Sequence, residues 1–305
     1  MWLIFLLYAL FGSVFTAAKL GLDHAEPFFL VGFRMAIAGA LMLLWLFFRD
    51  RSAIQIKSKH IGKIILLALF NIYITNGFEF WGMKYLTSSK TSFIYSLSPF
   101  FAAILSWIFL KEKLSMKKLL GLIIGFAGFI PVFWAQTSGE ESLSSIGFLS
   151  LAEMSVMFAA LATVYGWITM RQLVSDSVSP MAANGYSMIL GGFFSLIHSS
   201  LTESWNPVPV SGSWSVLMEA TIWMIIISSF ICYNLYGHLL KKYTVTFMAF
   251  SGFSTPFFTA IFSWIKLGEK VDTSFYLSAC IVFFGLFLFY QEELKRDGIV
   301  KKELA

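Results

Sequence analysis

Two stretches of this chain repeat one another. Residues 99–113 read PFFAAILSWIFLKEK and residues 256–270 read PFFTAIFSWIKLGEK, with 11 of 15 positions identical at a constant spacing of 157 residues. Shared hydrophobicity does not by itself hold Pro, Trp, Glu and Lys in register, so the sequence reads as a duplicated unit. Around the two copies run apolar stretches bounded by charges or by Gly and Pro, at 2–18, 28–48, 61–83, 91–110, 118–135, 145–170, 181–200, 217–240, 244–265 and 274–290. Each approaches the roughly 20 residues that carry a helix across a hydrocarbon core. Runs this continuous are a helical signal, unlike the alternation of a membrane barrel. The expected fold is all-α: a polytopic membrane protein of ten transmembrane helices in two five-helix repeats, residues 1–143 and 144–305. An odd number of crossings per repeat inserts the second upside down. Inverted repeats of this kind characterise secondary transporters, whose substrate site lies near the bilayer midplane between the halves.

Composition removes the alternatives. The chain is 58% hydrophobic and 13% charged, against about 45–50% and about 25% in soluble domains, which excludes a soluble enzyme or a disordered regulator and leaves no length for a sizeable aqueous domain. The net charge of +5 is informative through its placement, and it gives no reason to expect nucleic acid. With the N-terminus inside, 16 of the 22 Lys and Arg fall on cytoplasmic loops and the C-terminal tail, Arg34 lies within a span and five lie outside. This bias predicts a cell (inner) membrane protein with both termini cytoplasmic. The first run has no Lys or Arg before it and no small-residue cleavage site after it, so it reads as a retained span rather than a signal peptide. Cys232 and Cys280 sit inside apolar runs, where their spacing argues neither a disulfide framework nor a metal site. Nucleotide-binding, zinc, nucleophile-elbow and Cys-x-x-Cys motifs are absent from the sequence, so neither enzymatic activity nor a cofactor is expected.

Phe11 and Gly12, Lys19 to Gly21, Pro27, and then Arg34 with Ala38 and Gly39 resemble the opening of the EamA-type drug/metabolite transporter family. The paired Pro-to-Glu-Lys segments resemble it too, and the likeness covers essentially the whole chain, with Phe11 where many relatives have Trp. The resemblance implies a carrier that moves small organic solutes by alternating access without ATP hydrolysis. It does not select the solute, since members resemble exporters of amino acids and drugs, or uptake and exchange systems for metabolites such as S-adenosylmethionine. A non-transporting membrane scaffold or sensor subunit built on the same bundle is the alternative.

Ionisable groups within apolar spans mark pathways by default, which singles out Arg34, Glu79 and Glu153. In the third run Asn71, Thr75 and Glu79 follow an i, i+4, i+8 line with Asn76 beside it, a polar stripe suited to an ammonium or sulfonium group. Arg34 either grips a substrate carboxylate or neutralises an acidic neighbour, and Glu79 either binds solute or pairs permanently with Arg34 or Lys84. Glu153 shares a helix face with Met157, Ala160, Val164 and Trp167. In the eighth run Trp223, Ile227, Asn234 and His238 fall along one side, and aligning Gly237 with Gly82 sets Asn234 opposite Glu79. An acid facing an amide suits a zwitterion such as an amino acid or S-adenosylmethionine. Tyr73, Trp81, Tyr95 and Trp223 are placed to stack on an aromatic or cationic solute. His238 beside Asn234 sets a titratable imidazole with the amide opposite the acid, as a further binding residue; His198 and His238 either relay protons or serve as packing or interfacial groups.

Pro99 and Pro256 are candidate hinges, since each removes a helical hydrogen bond. Gly121, Gly125 and Gly128 form a small-residue stripe that favours an intramolecular helix contact over a dimer face, consistent with a monomer or weak homodimer. Glu112 with Lys113 and Glu269 with Lys270 read as local pairs or helix ends rather than substrate contacts. The expected partners are a small-molecule substrate and the lipid bilayer.

Overall fold

The structure, a computed structural model, describes residues 2–110, 116–134, 145–146, 149–243 and 245–303, with side chains for 2–105, 116–134, 149–243 and 245–289. Among the described residues it is helical apart from the connections, a two-residue antiparallel pairing of Ser145–Ile146 with Leu149–Ser150 and an isolated bridge between Ala25 and Val210. In chain order the helical stretches are α1 (Trp2–Leu22), α2 (Pro27–Arg49), α3 (Ser58–Tyr85), α4 (Ser88–Tyr95 and, after a break, Ser98–Leu110) and α5 (Met116–Trp134). They continue as α6 (Leu151–Ser175), α7 (Pro180–Thr202), α8 (Trp214–Leu239), α9 (Val245–Leu267) and α10 (Thr273–Glu303). A single-turn helix, Arg51–Ile54, capped by Asp50, sits between α2 and α3.

Seven of these stretches are long and apolar enough to cross a membrane: α1, α2, α3, α5, α6, α8 and α9. The expectation of ten is therefore met in part, and the shortfall has physical causes. The α4 stretch breaks at Ser96–Leu97, where the hydroxyls of Ser96 and Ser98 bond to the carbonyls of Phe93 and Tyr95 and compete with the helix ladder. The α7 stretch carries buried Asn184, Ser187, Ser195 and Ser199, which lower its hydropathy. In α10 only Thr273–Phe289 is apolar. The sixth expected run starts too early at 145, because the Ser150 hydroxyl and the Glu153 carboxylate form a reciprocal capping box that fixes the helix start at Leu151.

Outward-facing positions carry large apolar side chains, among them Phe5, Leu44, Phe48, Ile123, Phe193, Ile226 and Phe283, as a lipid-facing surface requires. Inside, backbone meets backbone where glycine permits. A Cβ at Gly39 would lie 2.6 Å from the Gly185 carbonyl oxygen in the α2–α7 seam, and one at Gly121 would lie 2.6 Å from that of Gly285 in the α5–α10 seam. The glycine stripe of α5 is thus filled from within the chain.

Contacts define two faces. On the first, Lys84 pairs with Glu26 at 2.7 Å, the Lys19 ammonium donates to the carbonyls of Met83 and Leu86 at 2.8 Å, and Lys90 pairs with Glu153 at 3.0 Å. On the second, Lys63 pairs with Asp176 at 3.1 Å, with His60 3.4 Å from the same carboxylate. Accordingly α1 ends and α6 begins at the first face.

A charged aromatic cavity between the halves

Regular winding fails in the two helices that matter most for the site. Residues Ala68–Ile74 of α3 and Met224–Tyr233 of α8 are π-helical, with i→i+5 bonds that widen the turn and leave carbonyls short of donors. One amide in each helix makes good the deficit. The Asn76 Nδ2 donates to the carbonyls of Asn71 and Ile72 at 3.1 and 3.0 Å, and the Asn234 Nδ2 to those of Ser229 and Phe230 at 3.4 and 2.8 Å. This recurring pattern matches Asn234 with Asn76 and corrects the pairing of Asn234 with Glu79. Beyond its bulge each amide oxygen takes a different partner: Arg34 Nη2 donates to Asn76 at 2.6 Å, whereas Asn184 Nδ2 donates to Asn234 at 3.0 Å.

The expected stripe of α3 divides between two faces. Asn71 and Thr75 turn toward α6: the Thr163 hydroxyl donates to Asn71 Oδ1 at 3.4 Å, and the Thr75 hydroxyl donates to the carbonyls of Phe70 and Ala159. Asn76, Glu79 and Phe80 turn the other way and line a central cavity. It encloses about 880 Å³ of empty space, counting what is open at its mouth, and is walled by α1, α2, α3, α4, α6, α8 and α9. Its lining reaches Val245 at the start of α9 and Tyr8 near the start of α1, so it extends toward the second face.

The charges of the cavity are Arg34 and Glu79. Arg34 is 1% exposed, with its Nε and Nη1 lacking a hydrogen-bond partner and its guanidinium 4.8 Å from the centre of the Phe80 ring. Arg34 and Glu79 attract one another yet form no ion pair among the described residues, and Lys84, the other expected partner of Glu79, is held by Glu26. An acid and a cation thus face the same space without neutralising each other. The remaining wall is aromatic and hydroxylic. Tyr236 stacks on Trp167 at 3.9 Å, Tyr233 lies 5.4 Å from Trp167 and 6.3 Å from Phe11, and Phe15 meets Tyr95 edge-on at 6.0 Å. The Asn76 amide also donates to the Tyr233 hydroxyl at 3.1 Å, which joins α3 to α8 across the cavity.

Of the binding residues expected from sequence, Arg34, Asn76, Glu79 and Tyr95 line this cavity. The others lie elsewhere. Tyr73 bonds to His198 at 2.7 Å, Trp81 packs on Tyr85, and Glu153 is buried between its helix cap and Lys90. Trp223 is 47% exposed and His238 is exposed, and neither lines the cavity. Asn234 is occupied within its helix and by Asn184. Tyr8, Phe15, Ser92, Ser96, Thr163, Tyr233 and Tyr236 were not singled out as binding residues, and Tyr233 and Tyr236 carried a signal only if the bulge of α8 is known. Pro99 and Pro256 each stand in the first turn of the segment that follows a break, a place where a missing N–H costs nothing. Glu112 and Lys113 lie outside the described residues.

Known proteins agree with this architecture. The EamA-like transporter family matches residues 1–134 and 150–291. The S-adenosylmethionine/S-adenosylhomocysteine transporter of Chlamydia muridarum is 34% identical over 99% of this chain and 94% of its own length, and that of Chlamydia trachomatis serovar L2 is 35% identical over 99% and 92%. An uncharacterized transporter of Synechocystis is 30% identical over 94% and 88%. A solved structure, titled only as the crystal structure of a protein, superposes with a TM-score of 0.65 over 92% of this chain and 94% of its own at 14% identity, a likeness of fold. The chain, a multi-pass membrane protein, belongs to the EamA-like transporter family.

Proposed function

We propose that this protein carries S-adenosylmethionine, and its demethylated product S-adenosylhomocysteine, across the cell membrane by alternating access, and that it is not an enzyme. The observation that carries the reading is a cavity whose Arg34 and Glu79 face one space without pairing, ringed by Tyr8, Phe11, Trp167, Tyr233 and Tyr236. The solute supplies what these groups lack: a carboxylate for Arg34, an ammonium for Glu79, a purine to lie against the rings, and a sulfonium that aromatic faces attract. A cavity wall whose one cation is Arg34 suits a carboxylate better than a phosphate ester. The names of the two chlamydial relatives support the same solute.

The unit of transport is two inverted halves, residues 1–143 and 144–305, with both termini cytoplasmic in the inner membrane. The separate family matches to each half and the opposite directions of α1 and α6 between the two faces support this. Arg34, Asn76, Glu79 and Tyr95 are the binding residues we retain.

Counterflow of labelled S-adenosylmethionine into proteoliposomes preloaded with unlabelled S-adenosylhomocysteine tests the reading. Accumulation above protein-free liposomes is expected, falling about tenfold or more in Glu79→Gln or Arg34→Gln as a charge-assisted contact is lost. Wild-type protein that accumulates no label, while binding neither compound, overturns it.

A further inference from the structure

The cavity extends toward the second face, so something must close it at the first. There α9 ends at Gly268, whose φ of +69° is the left-handed turn that reverses a helix end. Its N–H and that of Glu269 bond back to Trp264 and Ser263 at 3.2 and 3.3 Å. The reversal directs the Glu269 carboxylate away from its own helix and onto the first turn of α4. Oε1 accepts from the Ser88 N–H at 3.0 Å, and Oε2 accepts from the Ser88 hydroxyl at 2.7 Å and from both the N–H and hydroxyl of Ser89 at 3.3 Å. The hydroxyls of Ser89 and Ser263 meet at 2.9 Å beside it. About one to two turns below this cap, Ser92, Tyr95 and Ser96 line the cavity.

We infer that Glu269 is the latch of the first-face gate: its carboxylate fastens α9 to α4 in the closed state and releases α4 when the cavity opens to that side. The inference rests on the carrier reading above, but not on the identity of the solute. Two features make the bond suited to release. It joins elements of opposite halves, so it breaks only if the halves part there. It also uses a half-buried carboxylate and a helix N-terminus, groups that water satisfies as soon as they separate, so opening exposes no orphaned polar atom. The buried Lys90–Glu153 pair at 3.0 Å spans the same two halves at the same face and parts in the same movement.

The test is the side from which a cavity cysteine is reached. With Cys232 and Cys280 replaced by serine, Ser92→Cys is labelled with a membrane-impermeant maleimide applied from each face in turn. Labelling from the first face is expected to rise about tenfold in Glu269→Ala, the population shift that follows loss of a charge-assisted contact, and to return toward the starting rate in Glu269→Asp. Independently, Ser89→Cys with Ser263→Cys is oxidised to a crosslink. The crosslinked protein should lose exchange and regain it on reduction, with second-face labelling of Ser92→Cys preserved throughout. An unchanged first-face rate in Glu269→Ala, or full exchange by the crosslinked protein, overturns the latch. Because labelling needs no substrate, it fails separately from the assignment of S-adenosylmethionine.

Discussion

Asn76 is the residue on which the site is built. Its Nδ2 holds the bulge carbonyls of Asn71 and Ile72 and the Tyr233 hydroxyl, and its Oδ1 holds Arg34. Asn76→Ala strands an Arg34 donor and two carbonyls in the protein interior. An unsatisfied buried group costs about 1–3 kcal/mol, so the purified protein is expected to melt several degrees lower in detergent, with exchange lost. Tyr233→Phe is the contrasting change: it keeps the ring and removes a single interhelical contact of the kind that averages about 0.6 kcal/mol in membranes. It should fold like the wild type, so any weakening of solute binding, measured as the shift in melting temperature on adding S-adenosylmethionine, reports the Tyr233 hydroxyl and its bond to Asn76 alone.

At the scale of the element, the helices were legible and the winding within them was not. Apolar runs mark where the chain can enter lipid, and the starts and ends of most followed to within a few residues. The Asn71–Thr75–Glu79 stripe assumed a uniform helix, whereas Ala68–Ile74 is π-helical; Asn76 and Glu79 share the cavity while Asn71 and Thr75 bond toward α6. Nothing in the residue types of Ala68–Ile74 announces that turn; the amide that caps it is visible only once the carbonyls it serves are known. Arg34 and Glu79 were found because charge in an apolar run is conspicuous, whereas Tyr233 and Tyr236 were two rings among many.

The α5–α10 seam gives a prediction of the same scale. Gly285→Leu forces a side chain against the main chain at Gly121 and Gly125, where a Cβ already lies 2.5 Å from the Gly125 nitrogen. A loss of at least about 1–3 kcal/mol is expected, read as a lowered melting temperature. At the second face, the Lys63 hydrogen bond, then its charge, with those of Lys59 and His60, holds the Asp176 carboxyl below its usual range. A depressed carboxyl stabilises the fold above its unfolded pKa and loses that contribution as pH falls through the folded value. Melting temperatures of wild type and Asp176→Asn should therefore differ by a constant amount above about pH 5 and converge below about pH 3; a gap that persists in acid would refute the pairing.

For the whole molecule, the repeat of residues 99–113 at 256–270 was the strongest guide. It led to two halves, and the faces described here give their contact points a direction. The placement of Lys and Arg predicts that a reporter fused to Ala305 is active only when it is a cytoplasmic one; activity of an exported reporter would reverse the orientation of both faces. Sequence alone read Glu269 with Lys270 as a local pair or a helix end, because the partner it caps lies on the other half and is reached only through a left-handed glycine.

The glycine seam of α5 and α10 bears on how those halves move. Around Gly121, Gly125 and Gly285 the main chain of one helix lies at touching distance from that of the other, with no room there for a side chain to roll or slip upon. When the latch side swings apart, this strip has no slack to give. On the carrier reading proposed above, it is expected to act as a fulcrum, with the two helices riding together while the remaining bundle rocks around them.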